Sequence, residues 1–175
     1  ELAGLQSEFQ SRRQRLYARA TGLPCDGDNR VIRPFLKSLG FELTDAQSKV
    51  LREIRSDLES VRPMRRLLQG DVGSGKTVVA ACATLMALES RYSVALMAPT
   101  EILALQHFKT FHKWFEPLGI TVHLRTGSQK SDVSTEPELG LTQPGPKPTE
   151  TGILTIGTHA LIQKGYTPEN LGLAI

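Results

Sequence analysis

The sequence lacks the features that define several large classes of protein. Its 175 residues include only two cysteines, Cys25 and Cys82, which argues against a disulfide framework or a cysteine-rich zinc site. No apolar run approaches the roughly 18 residues of a membrane-spanning helix, and the first residues show no basic and apolar leader. The hydrophobic fraction of 39% is ordinary for a globular protein. We therefore expect one compact domain with a short appendage, in a cytoplasmic protein that does not enter a membrane.

Positive charge is concentrated at the beginning of the chain. Residues 1–66 carry 13 basic and 9 acidic side chains, whereas residues 67–175 carry 8 and 9. Residues 2–19 combine apolar residues at helical spacing with four arginines, which predicts an amphipathic helix. Its basic face would contact phosphates or, as is more common, face solvent. Segment 22–28 contains helix-breaking residues, so we assign residues 1–28 to a helical linker.

The main domain, residues 29–175, alternates helical and strand patterns. This alternation implies right-handed βαβ crossovers and a parallel sheet with helices on both faces, so the predicted fold class is α/β. Residues 128–151 are rich in Ser, Thr, Pro and Gly and have little to bury, which predicts a mobile surface loop. The predicted elements are helices 31–39 and 44–61, strand 64–69, helix 77–89, strand 94–98, helix 100–115, and strands 120–124 and 153–157.

A phosphate-binding loop lies between a predicted strand and a predicted helix. Residues 70–77 read GDVGSGKT and match G-x-x-x-x-G-K-[ST]. The glycines let the backbone curl so that successive N–H groups and the helix N-terminus surround phosphate oxygens. The alternative is a glycine-rich turn that is followed by Lys-Thr by chance. At average amino-acid composition, the four fixed positions of the motif would match by chance in on the order of one in a few hundred chains of this length. The predicted nucleotide-binding residues are Gly70, Asp71, Val72, Gly73, Ser74, Gly75, Lys76 and Thr77.

Two side chains of this loop are the candidate catalytic residues. Lys76 would bring a positive charge to the β- and γ-phosphates, and the Thr77 hydroxyl would bind Mg²⁺, so ATP and Mg²⁺ are the expected cofactors. Hydrolysis also needs a second acidic residue for the metal and a group that positions water. The sequence contains no Asp-Glu pair, and residues 171–175 have the pattern of a strand with nothing after it. We therefore expect a chain truncated before the Walker B strand is complete.

Four further segments indicate the kind of nucleotide-dependent protein. FELTDAQ stands at 41–47, APTEILALQHF at 98–108, TGS at 126–128 and GTHAL at 157–161. With GDVGSGKT, their order and spacing resemble the first motor domain of superfamily 2 helicases over nearly the whole chain, and most closely the members that remodel branched DNA. The resemblance implies a RecA-like P-loop NTPase domain. Translocases of the same superfamily that act in replication restart or transcription-repair coupling are the nearest alternatives.

The resemblance gives Phe41 and Gln47 a role in recognising adenine. The amide would read the edge of the base, and the aromatic ring would pack beside it. The residues themselves support a second interpretation, because Thr44 and Gln47 have the spacing of a capping box at a helix N-terminus. The two interpretations are compatible in one structure.

The resemblance also implies a set of residues that hold DNA. Most of them follow predicted strands, at the edge of an open α/β sheet where ligands bind, and small or hydroxyl residues there would contact the phosphodiester backbone. Taken singly, each is more often a loop or helix-cap residue. The implied residues are Thr100, Gln106, Thr126, Gly127, Ser128, Thr158 and His159.

By the same resemblance, the whole enzyme is an ATP-dependent DNA helicase that remodels stalled forks and Holliday junctions in recombination and repair. It would be a monomer, with a second RecA-like domain and a wedge domain for branched DNA. The chain alone would bind ATP weakly and hydrolyse almost none. A non-helicase P-loop enzyme, such as a small-molecule kinase, and a module that grips nucleic acid with its phosphate loop are the alternative functions.

Overall fold

The computed structural model describes residues 21–127, 130–131, 152–162, 166 and 168–175. The predicted linker helix, Ser128 and most of the predicted loop 128–151 lie outside these residues. The described helices are α1 (Ile32–Ser38), α2 (Asp45–Leu58), α3 (Lys76–Glu89) and α4 (Glu101–Phe115). The described strands are β1 (Ser93–Met97), β2 (Val122–Arg125), β3 (Lys130–Ser131), β4 (Leu154–Gly157) and β5 (Leu171–Ala174). Short 3-10 turns follow α4 and β4, at Glu116–Leu118 and His159–Leu161.

The described strands form one sheet in the order β3-β2-β4-β1-β5. Strands β1, β2, β4 and β5 are parallel, with Ile156 of β4 in register with Leu96 and Leu124 of its two neighbours. The central strand β4 is buried along its whole length. This arrangement confirms the predicted α/β class with a parallel sheet. Strand β3 was not predicted: its two residues fall in the predicted loop, yet they pair antiparallel with β2.

The predicted strand at residues 64–69 is wrong. These residues connect α2 to the phosphate loop without strand pairing. Arg66 instead forms ion pairs with Glu53 and Asp57 of α2, and Leu67 is 89% exposed. A short extended segment gains strand stability only when a neighbour pairs with its backbone. The segment lies against this helix, and its partly buried apolar residues pack on the core without joining the sheet.

Helix α3 is the central helix of the domain. It is apolar around most of its circumference, and every residue from Ala81 to Glu89 is buried, as expected for a helix that is enclosed on all sides. It contacts β1 and β5 of the sheet and the helices α1 and α2. The four helices begin and end within three residues of their predicted bounds. Among the described residues, no helix is long and apolar enough to cross a bilayer.

An aromatic cluster joins α1 to α4. Phe35 is completely buried, and its ring lies edge-on to Trp114 and Phe115, with centroids 5.7 and 5.9 Å apart. Edge-to-face aromatic pairs at such distances add to the stabilisation from burial alone. Helix α1, though only 7 residues long, is therefore anchored in the core.

Candidate nucleotide-binding site and nucleic-acid edge

The phosphate loop enters α3 through left-handed backbone. Gly75 is the N-cap residue with φ 78°, and Gly73 has φ 82°. The positive φ requires glycine at position 75, and a β-carbon there would also push the amide nitrogen of Gln47 out of its present place. The turn is closed by a hydrogen bond from Ser74 N to Asp71 O at 3.2 Å. Val78 N and Val79 N both donate to Gly75 O, so the N–H groups of the first two helical residues have no acceptor within the helix and are available to an anion.

Lys76 is folded over the mouth of this loop. Its ammonium donates to the carbonyl oxygens of Gly70 and Asp71, at 2.7 and 2.6 Å. Both acceptors are neutral, and charged acceptors form stronger hydrogen bonds with an ammonium. A phosphate entering the loop would therefore displace these carbonyls from the amine, and Lys76 is already at the place where it would be needed.

Gln47 connects α2 to the phosphate loop. Thr44 N donates to Gln47 Oε1 at 2.9 Å, and Gln47 N donates to Thr44 Oγ1 at 3.2 Å, which confirms the predicted capping box. The other end of the same amide, Nε2, donates to Ser74 O at 2.9 Å. One side chain thus caps α2 and contacts the loop that would hold phosphates, while its role towards adenine stays a prediction.

Phe41 lies in an open groove of about 610 Å³ between α1 and the beginning of α2. The residue is 52% exposed, so one part of the ring is free to pack against a planar group. Leu36 and Lys37 of α1 and Ser48 of α2 also line the groove. Sequence reasoning missed these three residues, because their place depends on how two helices come together and no local pattern encodes it.

Thr77, the second residue of α3, is the candidate magnesium ligand. Mg²⁺ in nucleotide sites takes one or two protein ligands and completes its shell with phosphate oxygens and water. A hydroxyl in the first turn of the helix, beside the phosphate loop, fits that kind of binding. Within the described ranges, no group of three or more His, Cys, Asp or Glu side chains could hold a metal.

The carboxyl ends of β1, β2 and β4 meet along one edge of the sheet. Ala98 N donates to Gly157 O at 2.8 Å, and Thr158 N donates to Arg125 O at 3.3 Å. The end of β2 also approaches the start of α4, since a β-carbon on Gly127 would lie 3.4 Å from Oε1 of Glu101. The edge therefore brings together five of the predicted DNA-holding residues. They are Thr100, Thr126, Gly127, Thr158 and His159.

The residues of this edge differ in what they are free to bind. Thr100 caps α4, because its Oγ1 accepts from Leu103 N at 3.3 Å, as the alternative interpretation predicted. Thr158 is 2% exposed, and its Oγ1 has no hydrogen-bond partner among the described residues. Gln106 is exposed on α4, His159 is exposed on the 3-10 turn after β4, and Ser128 lies outside the described residues. The Thr158 hydroxyl therefore retains its capacity to bond a further polar atom.

Comparison with known proteins gives consistent matches over most of the chain. The ATP-dependent DNA helicase RecG of Acidithiobacillus ferridurans is 47% identical over 165 residues, which cover 94% of this chain and 23% of that protein. The RecG helicase of Thermotoga maritima is 42% identical over 175 residues, covering 100% of this chain and 22% of the relative. A solved structure of RecG bound to a three-way DNA junction is similar with a TM-score of 0.78 and 38% identity, over 95% of this chain and 22% of that one.

This chain thus spans less than a quarter of the length of these relatives. The resemblance to superfamily 2 helicases, first suggested by five short segments, is confirmed by these matches. Residues 44–163, more than half of the chain, match the sequence profile of the DEAD/DEAH box helicases. The segments at 70–77, 98–108 and 157–161 fall within that match. The chain therefore belongs to the DEAD/DEAH box helicase family.

Proposed function

We propose that this chain is the nucleotide-binding part of an ATP-dependent DNA helicase or translocase that remodels branched DNA, including stalled replication forks and Holliday junctions, in recombination and repair. The observation that carries the proposal is the phosphate loop that opens the buried helix α3, with the Lys76 ammonium 2.7 Å from Gly70 O across its mouth. The printed names of the relatives, and the three-way junction in the solved structure, support DNA as the partner.

In this proposal, ATP binds across α2 and α3. The phosphates contact the N–H groups of residues 70–77 and the Lys76 ammonium, and the adenine lies beside Phe41 and Gln47. Thr77 would hold Mg²⁺, which would supply positive charge to offset the charge that develops during phosphoryl transfer. Lys76 has only to exchange two backbone carbonyls for phosphate oxygens, which is a small movement of its side chain.

DNA would contact the carboxyl edge of the sheet through its backbone. The edge supplies hydroxyl and small residues, together with the exposed His159 and Gln106. Such contacts position a strand without reading its sequence, which suits an enzyme that must move along DNA. The Thr158 hydroxyl is unpartnered among the described residues but buried, so it would contact a phosphate only if this edge opened slightly. The full set would be Thr100, Gln106, Thr126, Gly127, Ser128, Thr158 and His159.

Hydrolysis and movement along DNA would require parts of the protein that are not in this chain. The relatives are more than four times as long as the segment they share with it. We infer a second RecA-like domain that closes over ATP, a wedge domain joined through residues 1–28, and a monomeric cytoplasmic enzyme. The chain alone would then bind ATP weakly and hydrolyse almost none.

A calorimetric titration of ATP·Mg²⁺ tests the nucleotide site. The chain should bind ATP, and the Lys76→Ala variant should lose binding, because the charge that faces the phosphates is removed. Lys109→Ala removes the same charge from an exposed position on α4 and should bind like the unmodified chain. Equal affinity of the Lys76→Ala variant and the unmodified chain would contradict the assignment of the phosphate loop.

A fluorescence-anisotropy titration of a labelled three-way DNA junction tests the edge. Binding should weaken steeply between low and physiological salt, because backbone contacts release counterions. Thr158→Val keeps the shape of the side chain but removes its hydroxyl, and should weaken binding by about fivefold if the hydroxyl bonds a phosphate. Thr110→Val on α4 is the matched control. Identical affinities of the two variants would exclude Thr158 from the interface.

A further inference from the structure

Glu89, the last residue of α3, carries a carboxylate that the proposed function does not use. The residue is only 8% exposed. Its Oε1 accepts from the backbone N–H groups of Val31 and Ile32, at 2.6 and 3.1 Å, and its Oε2 accepts from Asn29 N at 3.1 Å. A buried charge is costly unless it is hydrogen-bonded, and these three donors satisfy it. The carboxylate therefore fixes the start of α1 to the end of α3.

The same stretch of backbone is held from its other side by α2. We call residues 27–32 the 27–32 turn. The guanidinium of Arg55 donates to Gly27 O at 3.3 Å and to the side-chain oxygen of Asn29. Gly27 also approaches the carboxylate so closely that a β-carbon there would lie 2.7 Å from Oε2 of Glu89. The 27–32 turn is thus clamped between α2 and α3 by two charged side chains.

The 27–32 turn leads into α1, which forms one wall of the groove beside Phe41. Helix α1 begins in this turn, and it contributes Leu36 and Lys37 to the wall of the groove. Helix α2 contributes Ser48 to the opposite side. The two helices that form the groove are therefore both fastened to one turn, by Glu89 and by Arg55. Helix α3, which fastens the turn through Glu89, also begins at the phosphate loop.

We propose that Glu89 is a positioning residue for base binding. Its carboxylate holds α1, and with it the wall of the groove beside Phe41, at a fixed place relative to the phosphate loop. Glu89 does not touch the nucleotide in this proposal, which rests on the proposed function of the groove and of residues 70–77. Loss of the carboxylate should weaken the hold on the base and leave the hold on the phosphates unchanged.

The substitution Glu89→Gln separates these two effects. Glutamine has nearly the same shape, but its amide nitrogen would face the N–H of Asn29, a donor against a donor. Calorimetry on the whole chain would compare ATP·Mg²⁺ with tripolyphosphate·Mg²⁺, which has the phosphates but no base. We expect the affinity for ATP to fall by about fivefold or more, and the affinity for tripolyphosphate to change by less than about twofold. An unchanged affinity for ATP, or an equal loss for both ligands, would overturn the proposal.

Two further variants make the outcome unambiguous. Glu59→Gln removes the same charge from an exposed position at the end of α2 and should alter neither affinity. If the unmodified chain failed to bind ATP, the proposed function itself would fall, whereas ATP binding that Glu89→Gln leaves intact would sink only the positioning role. Gly27→Ala keeps the carboxylate but displaces it, so it should reproduce the selective loss, and it decides the matter if circular dichroism shows that Glu89→Gln does not fold.

Discussion

Gly75 is the one glycine of the phosphate loop that has both a positive φ and a close contact at the position of a β-carbon. Its φ of 78° is unfavourable for any residue with a β-carbon, and that β-carbon would overlap the Gln47 amide. We expect Gly75→Ala to lower the affinity for ATP by more than about tenfold, because the strained φ shifts the loop and the overlap moves the Gln47 amide away from Ser74 O. Calorimetry on the folded variant measures this loss.

The matched control for that substitution is Gly119→Ala. Gly119 has φ 71° and follows the 3-10 turn after α4, away from the phosphate loop. The backbone strain should lower the free energy of unfolding by about 1 kcal/mol, as measured in urea, without changing ATP binding. If Gly75→Ala behaved like Gly119→Ala in both measurements, the contact with Gln47 would have no part in the site.

The two thiols should be inert in the folded chain. Burial raises the pKa of Cys82 from 9.0 to about 12, and burial also raises the pKa of Cys25. Only the thiolate reacts with iodoacetamide, so a raised pKa and a buried sulfur both suppress alkylation. At pH 8 we expect mass spectrometry to find little alkylation of either thiol in the native chain and full alkylation in concentrated urea. Rapid alkylation of native Cys82 would contradict its place in the core.

Single residues of the site were predictable where a chemical motif dictates them. Residues 70–77 follow from a spacing that only a phosphate loop requires, and Thr44 and Gln47 follow from the spacing of a capping box. The contacts of Lys76 with Gly70 O and Asp71 O were not predictable, because they depend on how a flexible side chain settles in the absence of an anion. The role of Glu89 was not predictable either, because its partners are backbone groups 57 to 60 positions away in the sequence.

At the scale of the element, the beginning of α2 offers a test of what Gln47 does. Gln47→Glu would preserve the capping box, since glutamate at the third helical position accepts from the N-cap N–H equally well. It cannot donate to Ser74 O, and its charge would oppose that of the phosphates. We expect the free energy of unfolding to change by less than about 0.5 kcal/mol, while the affinity for ATP falls by about tenfold.

Urea denaturation and calorimetry on the same preparation measure the two quantities for Gln47→Glu. Gln106→Glu makes the same chemical change at an exposed position on α4 and should alter neither. An ATP affinity that survives Gln47→Glu would leave the residue as a helix cap only. A large loss of stability would show instead that the contact with Ser74 holds the domain together.

Helices and strands were predictable where their own residues determine their secondary structure. The apolar circumference of α3 and the capped start of α2 are local signals, and both helices occur where they were expected. Residues 64–69 and 130–131 were assigned wrongly because a strand exists only through its neighbour. Arg66 binds carboxylates of α2 in the first case, and β2 offers a free edge in the second.

At the scale of the whole molecule, the alternation of helices and strands predicted the α/β class but not the order of the strands. The order β3-β2-β4-β1-β5 depends on where each crossover connection places the next strand. Contacts between residues far apart in the sequence determine that placement, and no local pattern shows them. The aromatic cluster is such a contact. It joins α1, near the beginning of the described residues, to α4, and its centre is the fully buried Phe35.

Substitution of Phe35 therefore tests whether α1 and the sheet unfold together. Phe35→Ala should lower the free energy of unfolding by about 3–5 kcal/mol, because it leaves a cavity among α1, Trp114 and Phe115. Trp114 is the only tryptophan of the chain, so its fluorescence reports on this cluster, whereas far-ultraviolet circular dichroism reports on all helices. In a cooperative domain both signals should move to the same lower urea midpoint.

Phe41→Ala, at a half-exposed ring, should shift both midpoints much less. If fluorescence moved alone in Phe35→Ala, α1 would be a separate unit, and its fastening by Glu89 could not position the groove relative to the phosphate loop.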